Sequence, residues 1–131
     1  MSRIKIETLT SVHIGSGENL QYGSDFVKGQ NANGKIFGLI DAQKIMSLIG
    51  EEHISNWVAA IERKESSEEI VKQFAPNSYI EDYSKRVILD WSDGARTSDT
   101  LKEFIHDGMG KPYIPGSSIK GAIIIIIIIR N

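Results

Sequence analysis

Apolar and polar residues alternate along the first part of the chain. One side of an extended segment at 3–14 would carry Ile4, Ile6, Thr8, Thr10, Val12 and Ile14. A period of two is typical of a strand with one buried face, so we predict a first strand at 3–14. The glycines of Gly15-Ser16-Gly17 free the backbone for a tight loop, which we expect to end this strand.

Turn-forming residues separate further candidate strands. A strand that includes 25–28 is followed by the turn sequence Asn31-Ala32-Asn33-Gly34 and by the apolar segment 35–40. This order predicts a β-hairpin. The segment 84–91 is also rich in strand-forming residues, and Asp93-Gly94 predicts a turn after it.

Helical spacing predicts three helices between these strands. Apolar residues recur three or four positions apart at Ile45, Met46, Leu48 and Ile49 in the first helix and at Ile54, Trp57, Val58 and Ile61 in the second. Asp41 is a candidate N-cap for the first helix, and Gly50 is expected to end it. The third helix opens at Ser66 and stops before Pro76.

Composition is typical of a soluble globular domain. The 131 residues are 40% hydrophobic and 24% charged and include no cysteine. The chain therefore has no disulfide, thiolate zinc site or cysteine nucleophile, which fits a reducing compartment. The first ten residues lack the apolar core of a secretory signal, and the run Ile123 to Ile129 is shorter than the about 20 residues of a membrane span. We expect a cytoplasmic protein without membrane contact, cofactor or metal.

Charge is distributed unevenly along the chain. The net charge of -2 argues against a protein that coats nucleic acid indiscriminately. Between Glu51 and Glu69 there are six glutamates and only two basic residues, whereas 108–131 contains three basic residues and no carboxylate. The middle of the chain is acidic, and its end is locally basic.

The sequence PGSSIKGA at 115–122 combines a helix start with small residues. Ser117 or Ser118 is a good N-cap, and the first turn of a helix offers unpaired N–H groups beside the positive end of the dipole. Lys120 adds a full positive charge close to that end. The segment fits a phosphodiester, although a plain helix cap with a solvated lysine is the alternative.

The glycines that flank Ser117, Ser118 and Lys120 also bear on whether the segment binds a phosphate or only caps a helix. Gly116 and Gly121 would let a phosphate come close to the main chain. A nucleotide-binding P-loop does not fit, because Lys120 is followed by glycine and the spacing from glycine to lysine is too short. The sequence therefore gives no support to ATP hydrolysis.

Two pieces of the chain together resemble the RAMP superfamily, the repeat-associated proteins of type III CRISPR effector complexes. They are VHIGSGE at 12–18 and DGMGKPYIPGSSIKGAI at 107–123, with SDFV at 24–27 soon after the first piece. Their order and the size of the intervening segment are most similar to the subtype III-A subunit that caps the complex at the 3′ part of the guide RNA. The segment 41–100 resembles the family only loosely.

The resemblance implies an α+β, ferredoxin-like (RRM-type) RAMP fold, incomplete in this chain. Residues 1–131 would form a single partial domain with its first strand at 3–14. A hairpin and helices would make an insertion at about 20–105, and 107–131 would supply the glycine-rich turn and the first helix. A chain that ends at Asn131 would lack the remaining strands, so we expect an open sheet edge and either aggregation or dependence on a partner.

The resemblance also implies a non-catalytic role in antiviral defence, with the CRISPR guide RNA as ligand. Other RAMP subunits and small helical subunits would be its protein partners, and target RNA is a further candidate. Arg3 and Lys5 would either face RNA from the sheet or be plain exposed strand charges. The residues implied to bind RNA lie in the two small-residue segments: His13, Gly15, Ser16 and Gly17 in the first, and Gly116, Ser117, Ser118, Lys120 and Gly121 in the second.

An RNA-cleaving RAMP is the alternative interpretation. Asp25 follows the first motif, as does the aspartate with which related backbone subunits cut target RNA, and His13 could be the general base of a guide-processing nuclease. Asp25 lacks the flanking pattern of such a site, and capping a turn is a simpler role for it. His13, His53 and His106 show no metal-ligand spacing. We therefore interpret the chain as a binding protein and not as an enzyme.

The chain departs from the family pattern after Ala122. Members continue Gly-Ala-Ile with an arginine, whereas Ile124 and five further isoleucines follow here. A surface helix carries apolar residues on only part of its circumference. We interpret the run as an unassigned helix written as isoleucine or as a corrupted sequence, in which a phosphate-contacting arginine is missing.

Overall fold

The computed structural model describes residues 5–91 and 100–129. Within these ranges the chain contains five strands and four α-helices, so the α+β prediction is confirmed. In chain order they are β1 (Gly15–Leu20), β2 (Phe26–Asn31), β3 (Gly34–Ile40), α1 (Ala42–Ile49), α2 (Ile54–Glu62), α3 (Ser67–Phe74), β4 (Ser84–Leu89), β5 (Leu101–Phe104) and α4 (Gly116–Ile129). Short 3₁₀ helices, Glu51–His53 and Ile80–Tyr83, precede α2 and β4.

The chain divides into two compact units. The described residues of 1–18 and 102–131 form the terminal unit, and 19–101 form the central unit. That 20–105 is an insertion into a single partial domain stays a prediction. The predicted turn at Asp93-Gly94 lies outside the described residues, as do Arg3 and Arg130.

The predicted hairpin of the central unit is confirmed. β2 and β3 pair antiparallel, with Phe26 opposite Leu39 and Asn31 opposite Gly34. At the turn, Asn31 Oδ1 accepts a hydrogen bond from Asn33 N–H at 2.9 Å. Gly34 has φ +122°, a conformation that costs glycine little.

β3 is the central strand of a three-stranded antiparallel sheet in the order β2-β3-β4. Its pairing with β4 runs from Ile36 opposite Leu89 to Ile40 opposite Ser84, with a register shift between Leu39 and Ile40. All residues from Ile36 to Ile40 are buried. Burial of consecutive residues means that both faces of this strand are shielded from water.

The predicted ends of α1 and the predicted start of α3 are confirmed. The carboxylate of Asp41 caps α1 by accepting from the N–H groups of Gln43 and Lys44. Gly50 ends α1 with φ +86° and donates to the Met46 carbonyl. The Ser66 hydroxyl caps α3 by accepting from Glu68 N–H at 3.3 Å.

One hydrophobic core joins the sheet of the central unit to its helices. Its buried members are Val27, Ile40, Ile45, Ile49, Trp57, Ala60, Ile70, Val71 and Tyr83. Trp57 Nε1–H donates to the buried Ser67 hydroxyl at 3.0 Å, so the indole N–H keeps a partner inside the core. Val58, which we expected on the same apolar stripe, is 47% exposed.

The prediction of a strand at 3–14 is wrong over the residues described. Residues 5–14 contain no strand, and on the side expected to be buried Ile6 is 62% and Val12 48% exposed. Alternation indicates a strand only where another layer covers its apolar side, and here Ile6 and Val12 face solvent. The strand instead starts at Gly15. Strand pairing uses main-chain N–H and C=O groups, which glycine has like any other residue. The expected loop Gly15-Ser16-Gly17 is therefore part of β1, and Lys5 lies outside any strand.

The isoleucine run is helical. α4 extends from Gly116 to Ile129, and Ile123, Ile124 and Ile125 are each between 44% and 58% exposed. No helix among the described residues is both long and apolar enough to cross a membrane.

Candidate nucleic-acid interface

The first group of predicted RNA-binding residues lies against β5. Ile105 N–H donates to the Ile14 carbonyl at 2.8 Å. The rings of His13 and Phe104 meet edge to face with centroids 5.6 Å apart. A Cβ built on Gly15 would lie 3.9 Å from a main-chain carbonyl oxygen of β5. The contacts with β5 therefore fix the positions of both His13 and Gly15.

Ser16 and Gly17 continue this segment as exposed residues. The Ser16 hydroxyl accepts from Glu18 N–H at 3.2 Å. Gly17 has φ +96°, and the space that its Cβ would occupy has no neighbouring atom within 4 Å. The main chain at Gly17 is thus open to a ligand, in a conformation that strains any other L-residue.

A tight turn at 107–111 connects β5 to the region before α4. Asp107 N–H donates to the Lys111 carbonyl, and Gly110 N–H donates to the Asp107 carbonyl, both at 2.9 Å. Asp107 Oδ1 accepts from the N–H groups of Met109 and Lys111, also at 2.9 Å. An antiparallel bridge between His106 and Pro112 closes the base of the turn. The carboxylate of Asp107 is therefore engaged with main-chain donors.

The second predicted group lies at the start of α4, with one correction. The helix begins at Gly116, and the Pro115 carbonyl accepts from Ser118 N–H at 3.0 Å and from Ile119 N–H at 3.3 Å. The prediction that Ser117 or Ser118 is the N-cap is wrong, because Pro115 takes the position before the first turn. Both serines lie inside that turn, beside the positive end of the helix dipole.

Open space surrounds the two glycines of this group. No neighbouring atom lies within 4 Å of a Cβ built on Gly116 or on Gly121. Lys120 is exposed, and it forms no ion pair with any residue in 5–91 or 100–129. The helix start is therefore sterically open, and its lysine is available to an anion.

Both groups belong to the terminal unit. Phe104 at the end of β5 and the next residue, Ile105, hold the first group. The chain then passes through the turn at 107–111 to the second group at the start of α4. Their role in RNA binding stays a prediction. Sequence reasoning missed Phe104 and Asp107; the run Asp-Gly-Met-Gly is a recognisable turn signal for Asp107, but nothing in the sequence marks Phe104 as the partner of His13.

Asp25, a candidate of the cleavage alternative, caps a turn in the central unit. Its Oδ2 accepts from Gln21 N–H at 2.8 Å, its N–H donates to the Gln21 carbonyl at 3.0 Å, and its carbonyl accepts from Ile40 N–H at 2.9 Å. His53 lies elsewhere, stacked on Phe74 with centroids 3.9 Å apart. The described residues contain no group of three or more His, Cys, Asp or Glu that could hold a metal ion.

The comparisons with known proteins bear on the whole chain. No curated protein and no solved structure gives a significant match. A family model described as the RAMP superfamily matches residues 5–124, a range that includes both candidate groups and the central unit. The mixed architecture with its antiparallel pairing is consistent with the ferredoxin-like fold of this family, and membership indicates a CRISPR-associated, RNA-binding role. Because the match spans nearly all of its length, this chain belongs to the RAMP superfamily.

Proposed function

We propose that the chain is a non-catalytic guide-RNA-binding subunit of a type III-A effector complex, where it caps the 3′ end of the guide. Membership in the RAMP superfamily supports the RNA-binding role. The likeness of 12–18 and 107–123 to the capping subunit supports the finer assignment. One observation carries the proposal: the start of α4 is open, and the segment 108–129 contains lysines but no carboxylate.

The chemistry of this helix start suits an RNA backbone. Ser117 and Ser118 can donate hydroxyl hydrogen bonds to a phosphate, and the first turn adds the positive end of the dipole. Lys120 supplies a full charge, and the space at Gly116 and Gly121 lets the phosphate approach the main chain. None of these contacts reads a base, as expected of a subunit that must hold guides of many sequences.

The environment of Asp25 favours binding over cleavage. Its carboxylate already accepts a main-chain N–H in a turn, which is a structural role. A general base must come within hydrogen-bond reach of the proton that it abstracts, whereas Oδ2 of Asp25 is directed at the Gln21 N–H. The proposal therefore assigns no catalytic residue.

Two matched lysine variants test the proposal. Lys120→Glu should weaken the affinity for single-stranded guide RNA at least tenfold and reduce the slope of log affinity against log salt by about 0.7, the value for one lost phosphate contact. Lys35→Glu, at an exposed lysine of the central unit, should change neither quantity. Fluorescence anisotropy at several salt concentrations measures both. Equal affinities for the wild type and Lys120→Glu would refute the proposal.

Cleavage is tested separately in the assembled complex. Labelled target RNA is incubated with complexes that carry the wild-type subunit, Asp25→Ala or His13→Ala. We expect the same cut positions in all three. Loss of one cut in either variant would overturn the non-catalytic assignment.

A further inference from the structure

An exposed aromatic residue lies between the turn at 107–111 and α4. Tyr113 of the terminal unit is 43% exposed, although its side chain is large and aromatic. Met109, in the turn itself, is 80% exposed. Neither residue belongs to the two groups of candidate phosphate-binding residues, so their exposure calls for a separate explanation.

Main-chain hydrogen bonds hold this segment in place. Asp107 accepts from two N–H groups of the turn, and the bridge between His106 and Pro112 fixes the chain just before Tyr113. The entropy cost of binding is small when the contacting side chain projects from a backbone that is already ordered. Tyr113 is therefore suited to be a preorganised contact.

A lysine lies two positions before Tyr113 in the chain. Lys111 and Tyr113 flank Pro112, the residue that the bridge holds. Both residues are exposed. The tyrosine ring offers a stacking surface for a nucleobase, and the lysine two residues away offers a positive charge for a phosphate.

Charge distinguishes this surface from another exposed tyrosine. Tyr79 is 75% exposed in the central unit, but the exposed acids Glu81 and Asp82 follow it in the chain. The segment 108–129 has no acid, and the carboxylate of Asp107 is engaged with main-chain donors. A polyanion therefore meets less repulsion at Tyr113, which has Lys111 nearby in the chain, than at Tyr79, which is followed by two acids.

We propose that Tyr113 stacks on an unpaired base of the bound RNA while Lys111 contacts an adjacent phosphate. This inference rests on the proposed function and adds a base contact that does not depend on sequence, because every base has a stacking face. The ligand class is single-stranded RNA, whose bases are free to splay out.

The test compares two RNAs of equal length, one normal and one with abasic sites throughout. Tyr113→Ala should bind the normal RNA about tenfold more weakly than the wild type does, since stacking on one base is worth roughly 1–3 kcal/mol. It should bind the abasic RNA as the wild type does. Tyr113→Phe keeps the ring and should resemble the wild type on both RNAs, and Tyr79→Ala is the matched control that should have no effect. Anisotropy with the 131-residue chain measures the affinities.

Each outcome separates the inference from the proposed function. If the wild type binds neither RNA, the proposed function fails. If the wild type binds both RNAs but Tyr113→Ala loses the same factor on each, or nothing on either, stacking is refuted while RNA binding stands. If Tyr113→Ala binds RNA normally but no longer joins its neighbouring subunits, the surface binds protein and the inference is wrong.

Discussion

Asp107 shows how one exposed side chain can organise a whole turn. Its carboxylate accepts from Met109 N–H and Lys111 N–H, so it takes the place of a main-chain acceptor for both. We expect Asp107→Ala to speed amide hydrogen exchange at these two positions roughly tenfold, because each N–H loses its partner. Asp107→Asn keeps the Oδ1 acceptor and should change exchange much less. If both substitutions act equally, the geometry of the acceptor is not what holds the turn.

Tyr83 makes the stability of the central unit sensitive to alkali. Burial raises the pKa of its phenol above the ordinary value, and the nearby charges of Glu68 and Glu81 raise it further. An acid whose pKa is raised on folding contributes stability that is complete below its unfolded pKa and is lost as pH rises above it. We therefore expect the free energy of unfolding to fall above about pH 10, the unfolded pKa of tyrosine.

Urea unfolding between pH 8 and pH 11 measures this dependence. Tyr83→Phe cannot ionise, so its curve should be flatter than that of the wild type over the upper part of the range. Parallel curves for the two proteins would show that other groups cause the alkaline loss.

Single residues of the candidate site were predictable only where their chemistry is local. Lys120 and the glycines at 116 and 121 were identified from spacing and charge, and the structure leaves them open. The position of the N-cap was predicted wrongly, because the helix begins at Gly116 and Pro115, not a serine, precedes it. The contact of His13 with Phe104 depends on residues 91 positions apart, which a local pattern does not reveal.

Elements with strong end signals were predicted well. The Asn31-to-Gly34 turn, the Asp41 cap and the Ser66 cap fix the hairpin, α1 and α3, since each signal acts through a local hydrogen bond. The strand expected at 3–14 had an alternating pattern but no such end signal. The first strand begins after that segment, at Gly15. Periodicity describes what a strand would bury, whereas pairing with β5 decides where a strand lies.

The 3₁₀ helix at Ile80–Tyr83 is seated directly on the central sheet. A Cβ built on Gly38 would overlap the Ile80 side chain and would lie 2.5 Å from the Ser84 hydroxyl. Gly38→Ala must therefore displace this helix or the start of β4, and overpacking of this kind costs about 1–3 kcal/mol. We expect a lower urea midpoint with an unchanged slope.

A glycine without neighbours is the control for this prediction. Gly108 has no atom within 4 Å of a built Cβ, and its φ is not in the positive region. Gly108→Ala should leave the urea midpoint nearly unchanged. If both variants lower the urea midpoint equally, the loss of stability at Gly38 comes from the loss of glycine's backbone flexibility and not from overlap with the Ile80 side chain.

At the scale of the whole molecule, the two units differ in charge. The stretch from Glu51 to Glu69 in the central unit has six glutamates. Glu65 and Glu68 form ion pairs with Arg63 and Lys72, but Glu51, Glu62 and Glu69 are exposed. The terminal unit contributes the acid-free segment 108–129. A polyanion is attracted to the segment 108–129 and repelled by the glutamates of 51–69. Salt limits both effects to distances of about one Debye length.

This asymmetry predicts which part of the chain RNA touches. Ultraviolet crosslinking of a bound single-stranded RNA, followed by peptide mass spectrometry, should place crosslinks within 102–121 and leave 51–69 unmodified. Lys120→Glu should reduce the yield at 102–121, because it replaces the positive charge in the first turns of the helix with a negative one. Since crosslinking favours aromatic residues in contact with bases, Tyr113 is the expected modified residue, and Tyr79 is an internal control of greater exposure. Crosslinks concentrated in 51–69 would mean that the RNA follows the acidic helices, which is incompatible with recognition through phosphate charge at the start of α4.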